Sequence, residues 1–219
     1  MCHAAISEDQ GKSWRGYREV ARESFEQSTT TAGRGPRHGL SSSQSGAGWE
    51  SDLLFRTGKG RRFRALFDPE WLYATLQQTN FSNGLDDWST FGTKGVSLVP
   101  HPNKRGAQAL SILKSDSAWP ASAIWNFPAG ETGRLRLRLL LKPGFQGLNI
   151  GLTDHFSVPF DPEDHLHNLY NLHVGRGGEL MSKVRLEANR RYNLELAWNG
   201  ARRNCHVLLD GRTVDNLPL

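Results

Sequence analysis

The densest run of chemically capable side chains lies between residues 154 and 167, where Asp154, His155, Asp161, Asp164 and His165 share one short stretch with Glu163 and His167. Carboxylates and imidazoles gathered this way have three uses. They ligate calcium or zinc through oxygen and nitrogen. They flank a glycosidic bond, one carboxyl as acid and the other as base or nucleophile. Or they serve a Pro-braced loop, with the acids capping turns around Pro159 and Pro162 and the histidines facing solvent. No fixed ligand order is present: the run has neither the spacing of an EF-hand loop nor His-Glu-x-x-His. The loop reading is preferred on that ground. Calcium is the ion the cluster would admit, and no cofactor is required.

Aromatic residues offer a second chemistry, since a flat ring face suits the C–H face of a pyranose. Trp125 and Trp198 fall within strand alternation and are expected in the core. Trp88 and Trp119 stand beside Gly or Pro turns and are the candidates for sugar stacking. Cys2 and Cys205 lie at opposite ends of the chain and offer no disulfide framework and no metal-site spacing. Gly58-Lys59-Gly60 and Gly175-Arg176-Gly177-Gly178 read as turns, without the strand–loop–helix setting of a phosphate cradle.

Charge narrows the partners. The 219 residues carry a net charge of +5. The basic clusters sit at residues 58–64, at Arg134, Arg136 and Arg138, and at Arg190-Arg191 with Arg202-Arg203. They fall on different elements and make no single groove, so a nucleic-acid partner is not expected. No run approaches the roughly 18 apolar residues of a membrane helix. The first residues lack the basic, apolar, small-residue order of a secretory signal. The chain is thus expected inside the cell, or outside it or in a periplasm if a parent start lies upstream.

The elements that must hold these groups are strands. Leu135, Leu137, Leu139 and Leu141 alternate with arginines, and Tyr192, Leu194, Leu196 and Trp198 repeat the period of two. Turns at Asn199-Gly200 and Asp210-Gly211 bracket Cys205, Val207 and Leu209. Shorter strands are predicted at 96–99, 107–113, 123–127, 148–152, 169–174 and 181–186. Many short strands between Gly and Pro turns mean a sandwich or barrel. Residues 79–219 are therefore expected to form a β-sandwich, open at one edge after the last hairpin, which invites self-association. Ahead of it, residues 1–67 hold a hairpin around residues 7–14, a low-complexity Ser/Thr/Gly insert at about 26–48, and a strand pair at 52–56 and 62–67. Asp68 as N-cap and Pro69 at the first helical position start a linking helix that runs to about Gln77 within residues 68–78.

Ser7-x-Asp9-x-Gly11-x-Ser13-Trp14 resembles the Asp-box, or BNR repeat, of sialidase-type β-propellers, with Ser in place of Thr. Residues 67–72 look like the exit from a last propeller blade, and residues 80–89 resemble the opening of concanavalin-like, laminin-G-like and carbohydrate-binding jelly rolls. The resemblance implies one partial blade followed by a jelly-roll sandwich, the C-terminal part of a sialidase-like glycoside hydrolase. It makes Ser7, Asp9, Gly11, Ser13 and Trp14 scaffold, with Asp9 bracing the turn and Trp14 packed between sheets. Sialidase-like catalysis draws an arginine triad, a Tyr–Glu pair and an Asp from several blades, which one blade cannot assemble. No catalytic residue is assigned, and the sandwich is expected to be a non-catalytic carbohydrate-binding or accessory module. A hydrolase acting through the 154–167 cluster, and a partner-binding sandwich without ligand, are the competing readings.

Overall fold

The computed structural model describes residues 2–21, 51–56, 62–67, 69–85, 88–91, 94–155 and 157–219. The insert expected at 26–48 and the N-cap Asp68 lie outside the described residues. Strands dominate, paired antiparallel in sheets that do not close, and the fold class is an all-β sandwich. The chain divides into two compact units, Met1–Ala129 with Val158–Asp161, and Gly130–Ser157 with Pro162–Leu219.

The first unit is built from two-stranded ladders. β1 (Cys2–Ile6) pairs with β2 (Arg15–Ala21), and β3 (Ser51–Arg56) with β4 (Arg62–Phe67). α1 (Pro69–Tyr73) follows, then β5 (Trp88–Thr90), β6 (Val96–Pro100), β7 (Gln108–Ile112) and β8 (Ala123–Trp125). β6 pairs with β7, and β5 with β8. The helix stops four residues before Gln77, the end expected from its periodicity. A tertiary contact explains the early stop. Arg18 Nη1 donates to the Trp71 carbonyl at 2.6 Å, and Gln77 is drawn off to donate to the Asn126 carbonyl at 2.9 Å and to accept from Arg18 Nη2. α1 packs on β1 and β2 through Leu72, which is fully buried. Gly16 makes that approach possible. Its φ is +68°, and a Cβ there would stand 2.6 Å from the Leu72 carbonyl oxygen.

The second unit holds two four-stranded sheets. β10 (Leu148–Leu152), β11 (Tyr170–Val174), β12 (Glu179–Leu180) and β13 (Val184–Arg185) pair in that order. The other sheet runs β16 (Arg212–Pro218), β15 (Asn204–Leu209), β14 (Arg191–Asn199), β9 (Thr132–Leu140). Tyr170, Leu172, Val174 and Leu180 supply the buried side of the first sheet, and Tyr192, Leu194, Leu196, Cys205, Val207 and Leu217 that of the second. Leu135, Leu137 and Leu139 stand directly opposite Leu196, Leu194 and Tyr192, so the alternation read in the sequence is the register of the core. The single strand expected at 181–186 is kept only at β13, Val184–Arg185, and its first residues are the β12–β13 turn. Met181 and Ser182 take φ of 49° and 59°, left-handed values that no strand contains. Lys183, from that turn, pairs with Asp215 of β16 at 2.5 Å and ties the two sheets together.

Candidate functional site

The first unit brings three aromatic rings together from separate loops. Trp119 lies 4.9 Å from Phe91, and Phe91 lies 5.9 Å from Phe160, centroid to centroid. Trp119 is 39% exposed and Phe160 37%, so the group presents apolar ring surface to solvent. Polar bonds hold the loops beneath it. Lys94 N–H donates to the Phe91 carbonyl at 3.1 Å, and Lys94 Nζ reaches Asp116 Oδ2 at 2.8 Å. Asp116 Oδ1 also accepts from the Ala118 amide at 2.9 Å, next to Trp119 in the chain. The Lys94 hydrogen bond and the Ala118 amide hold the Asp116 carboxyl below the usual aspartate range, favouring the charged form that keeps both loops in place.

Trp88, the other stacking candidate, is used differently. It faces Trp125 across the β5–β8 ladder, with the rings 5.4 Å apart and within 4° of parallel, and Phe81 leans on it at 5.9 Å. One indole face is thereby covered. Trp125, expected in the core, is half-buried and meets Phe127 edge-on as well.

No family model and no curated protein matches this chain.

The polar loop at 154–167 is divided between the units: Asp161 belongs to the first, and Asp154, His155, Asp164 and His165 to the second. Within the second unit Asp154, His155 and His165 meet near neighbours in the chain. Thr153 Oγ1 and His155 Nδ1 lie 2.7 Å apart, Asp154 and His155 pair at 3.5 Å, and the His155 and His167 rings meet edge-on at 6.2 Å. Asp164, His165 and His167 occupy a single 3-10 turn, Asp164–His167, where His165 Nδ1 lies 3.0 Å from the Pro162 carbonyl oxygen. Glu163 opens that turn without a side-chain cap, so the expected capping role does not fall to it. Among the described residues no group of three or more His, Cys, Asp or Glu side chains is arranged to hold a metal ion.

The hairpin around residues 7–14 forms as expected, and Asp9 braces it. Asp9 Oδ1 accepts from Ser7 Oγ at 3.0 Å and from the Ser13 amide at 2.8 Å, while Oδ2 accepts from Ser13 Oγ at 2.6 Å. Ser7 Oγ in turn accepts from the Gly11 amide at 2.6 Å. Gly11 takes φ of +85°, the left-handed geometry the turn needs. The Ser13 hydrogen bonds lower the Asp9 pKa to about 2. Trp14 departs from its expected place: it is 64% exposed, with its ring edge 4.0 Å from where a Gly11 Cβ would be, so it does not pack between sheets. Among the described residues no helix is long and apolar enough to cross a membrane.

What sequence reasoning missed is the company Trp119 keeps. Phe91 and Phe160 are distant in sequence, and neither carries a local signal for exposure. Asp116, two residues before the Ala118 amide it accepts from, is the one hint a sequence reader had.

Proposed function

We propose that the chain is the C-terminal part of a sialidase-like protein and that residues 79–219 act as a non-catalytic carbohydrate-binding module of the jelly-roll, concanavalin-like kind. The observation that carries the binding half is the exposed, braced ring surface of Trp119 with Phe91 and Phe160. An exposed aromatic face takes the C–H face of a sugar, and anchoring from below removes part of the ordering cost of binding. The family half is supported by the Asp9-centred bonding of the hairpin, which is the arrangement an Asp-box calls for.

Glycan-array screening followed by titration calorimetry of the full chain tests the reading. Wild-type protein retains an oligosaccharide. Trp119→Ala weakens it by about tenfold or more, in line with the ~1–1.5 kcal/mol of an aromatic contact plus its buried area, while circular dichroism stays unchanged. Retention of no glycan, or equal affinity in Trp119→Ala, overturns it. Hydrolysis of an aryl sialoside that disappears in Asp154→Asn would move the assignment to the 154–167 loop. The family half is tested by the genomic sequence upstream of Met1, where further Ser-x-Asp-x-Gly-x-Ser/Thr-Trp boxes are expected.

A further inference from the structure

The outward face of the β16-β15-β14-β9 sheet carries a concavity of about 310 Å³ that belongs wholly to the second unit. Register explains its shape. Ala197 of β14 stands opposite Arg134 of β9 on one side and His206 of β15 on the other. One step along, Asn199 stands opposite Thr132 and Asn204. Side chains two apart on a strand share a face, so the Ala197 methyl forms the floor between longer neighbours. Arg202, from the β14–β15 turn, and Trp198 complete the lining.

The charge on this face is one-sided. Arg134, Arg136 and Arg138 follow one another along β9, Arg191 lies at the far end of β14, and Arg202 stands at the turn. Glu195 pairs with two of them, while the Asp210 carboxylate is held by Asn193. Glu195 accepts from Arg136 Nε at 2.6 Å and from Arg134 Nη1 at 3.2 Å. Asp210, in the β15–β16 turn, accepts from the Asn193 amide at 2.9 Å and from its side chain at 3.2 Å. The Arg134 and Arg136 side chains remain 64% and 69% exposed despite their shared partner, whereas Glu195 is 17% exposed. Glu195 thus aligns two guanidiniums and leaves much of each donor fork open to solvent.

We propose that this groove binds an acidic oligosaccharide, one carrying carboxylate or sulfate groups, independently of the Trp119 surface. Guanidinium forks match planar carboxylate and sulfate oxygens with paired, charge-assisted hydrogen bonds. Thr132, Asn199 and Asn204 supply the hydroxyl and amides that exchange hydrogen bonds with sugar hydroxyls. The alternatives fit less well. Single-stranded nucleic acid needs ring faces on which to stack bases, and the Trp198 ring is laid on Gly133 with its Nε1 donating to the Gly130 carbonyl at 2.9 Å. An acidic peptide wants an apolar anchor pocket, and this floor is a single methyl.

Titration calorimetry of the full chain against an oligogalacturonate, a sulfated glycosaminoglycan oligomer, a neutral glucan oligomer, a single-stranded oligonucleotide and poly-glutamate tests the proposal. At least one acidic oligosaccharide binds, and raising NaCl from about 50 mM to about 300 mM weakens it, as screening requires. The combined Arg134→Gln and Arg202→Gln variant loses about tenfold or more in affinity, the scale of a lost charge-assisted pair. Glu195→Gln, which removes the competing carboxylate while keeping the side-chain volume, tightens binding by about two- to fivefold. A residue of merely structural importance would not produce that gain. Trp119→Ala leaves this binding unchanged, which separates the two surfaces. The proposal is overturned if neither acidic oligosaccharide binds, if the arginine variant binds as wild type does, if Glu195→Gln weakens binding, or if the oligonucleotide or poly-glutamate binds as tightly as the acidic sugar.

Discussion

The two compact units solve the stability problem by different means. The second stacks two four-stranded sheets, and its interior is almost wholly side chains from alternating positions: Leu172, Val174, Leu194, Leu196 and Val207 are at most 1% exposed. The first has only two-stranded ladders among its described residues, which are marginal by themselves. It is held by specific polar and aromatic devices: Arg18, 3% exposed, spanning β2, Trp71 and Gln77; the Trp88–Trp125 stack; Lys94 on Asp116; and Asp9 in its turn. The apolar core of the second unit comes from periodicity, with the buried side chains at alternate strand positions. The devices of the first depend on single residues, and they leave the ring surface of Trp119 at the boundary with water.

The comparison is tested most severely in the leucine core. Leu196→Ala empties a fully buried position between Leu135 and Val207, and should cost about 2–5 kcal/mol. Amide hydrogen exchange is the measurement, because it resolves the units separately. Protection should fall across β9, β14, β15 and β16. Cys205 provides a second readout: burial pushes its thiol up to about 11, so alkylation is slow in the folded protein and should accelerate in the variant. Equal loss of protection in β1 and β2 would show one cooperative body and end the contrast.

Next in size is Arg18→Ala. It removes a buried guanidinium that donates to Trp71 and Gln77 and lies 3.9 Å above the Trp71 ring. Loss of charge-assisted bonds and a desolvated cation–π contact should cost about 2–4 kcal/mol. Exchange should accelerate in β2 and α1 while the second unit keeps its protection. Arg18→Lys, which keeps the charge and loses the planar fork, should recover only a minor part.

The same contrast decides what was legible in the sequence. Alternation of Leu135, Leu137 and Leu139, and of Tyr192, Leu194 and Leu196, names both the strands and their buried face, because strand geometry fixes the period. The Asp9 turn was legible because its partners lie within four residues. The end of α1 was not, since the group that competes for its carbonyl, Arg18, lies 53 residues away. The β12–β13 turn was hidden because Met181 and Ser182 have no special turn chemistry. At the candidate site, Trp119 stood out by type and by its neighbour Pro120, whereas Phe91 and Phe160 join it only through the fold. The 154–167 loop shows the converse. Composition made it conspicuous, but the bonds of His155 to Thr153 and of His165 to Pro162 run to near neighbours in the chain, and among the described residues no metal-binding group is brought together.

The smallest expected effect isolates a single device of the first unit. Asp9 is solvent-facing, yet the Ser13 hydroxyl and amide, with Ser7, hold its pKa at about 2, below the roughly 3.9 of a free aspartate. A depressed native pKa favours folding above the unfolded value, and that contribution fades as pH falls toward and through the native one. Bracing by Asp9 should therefore be complete above about pH 4–5 and lost as pH falls through about 2. The Ser13 amide resonance reports it directly: its shift should titrate with a midpoint near 2 in wild type and disappear as a pH-dependent signal in Asp9→Asn. In Ser13→Ala the hydroxyl bond is gone and the amide bond remains, so the midpoint should rise without reaching the free value. A wild-type midpoint already near the free value would mean that the hairpin's hydrogen bonds do not form in solution, and the first unit would lose the clearest example of a turn held by one carboxylate.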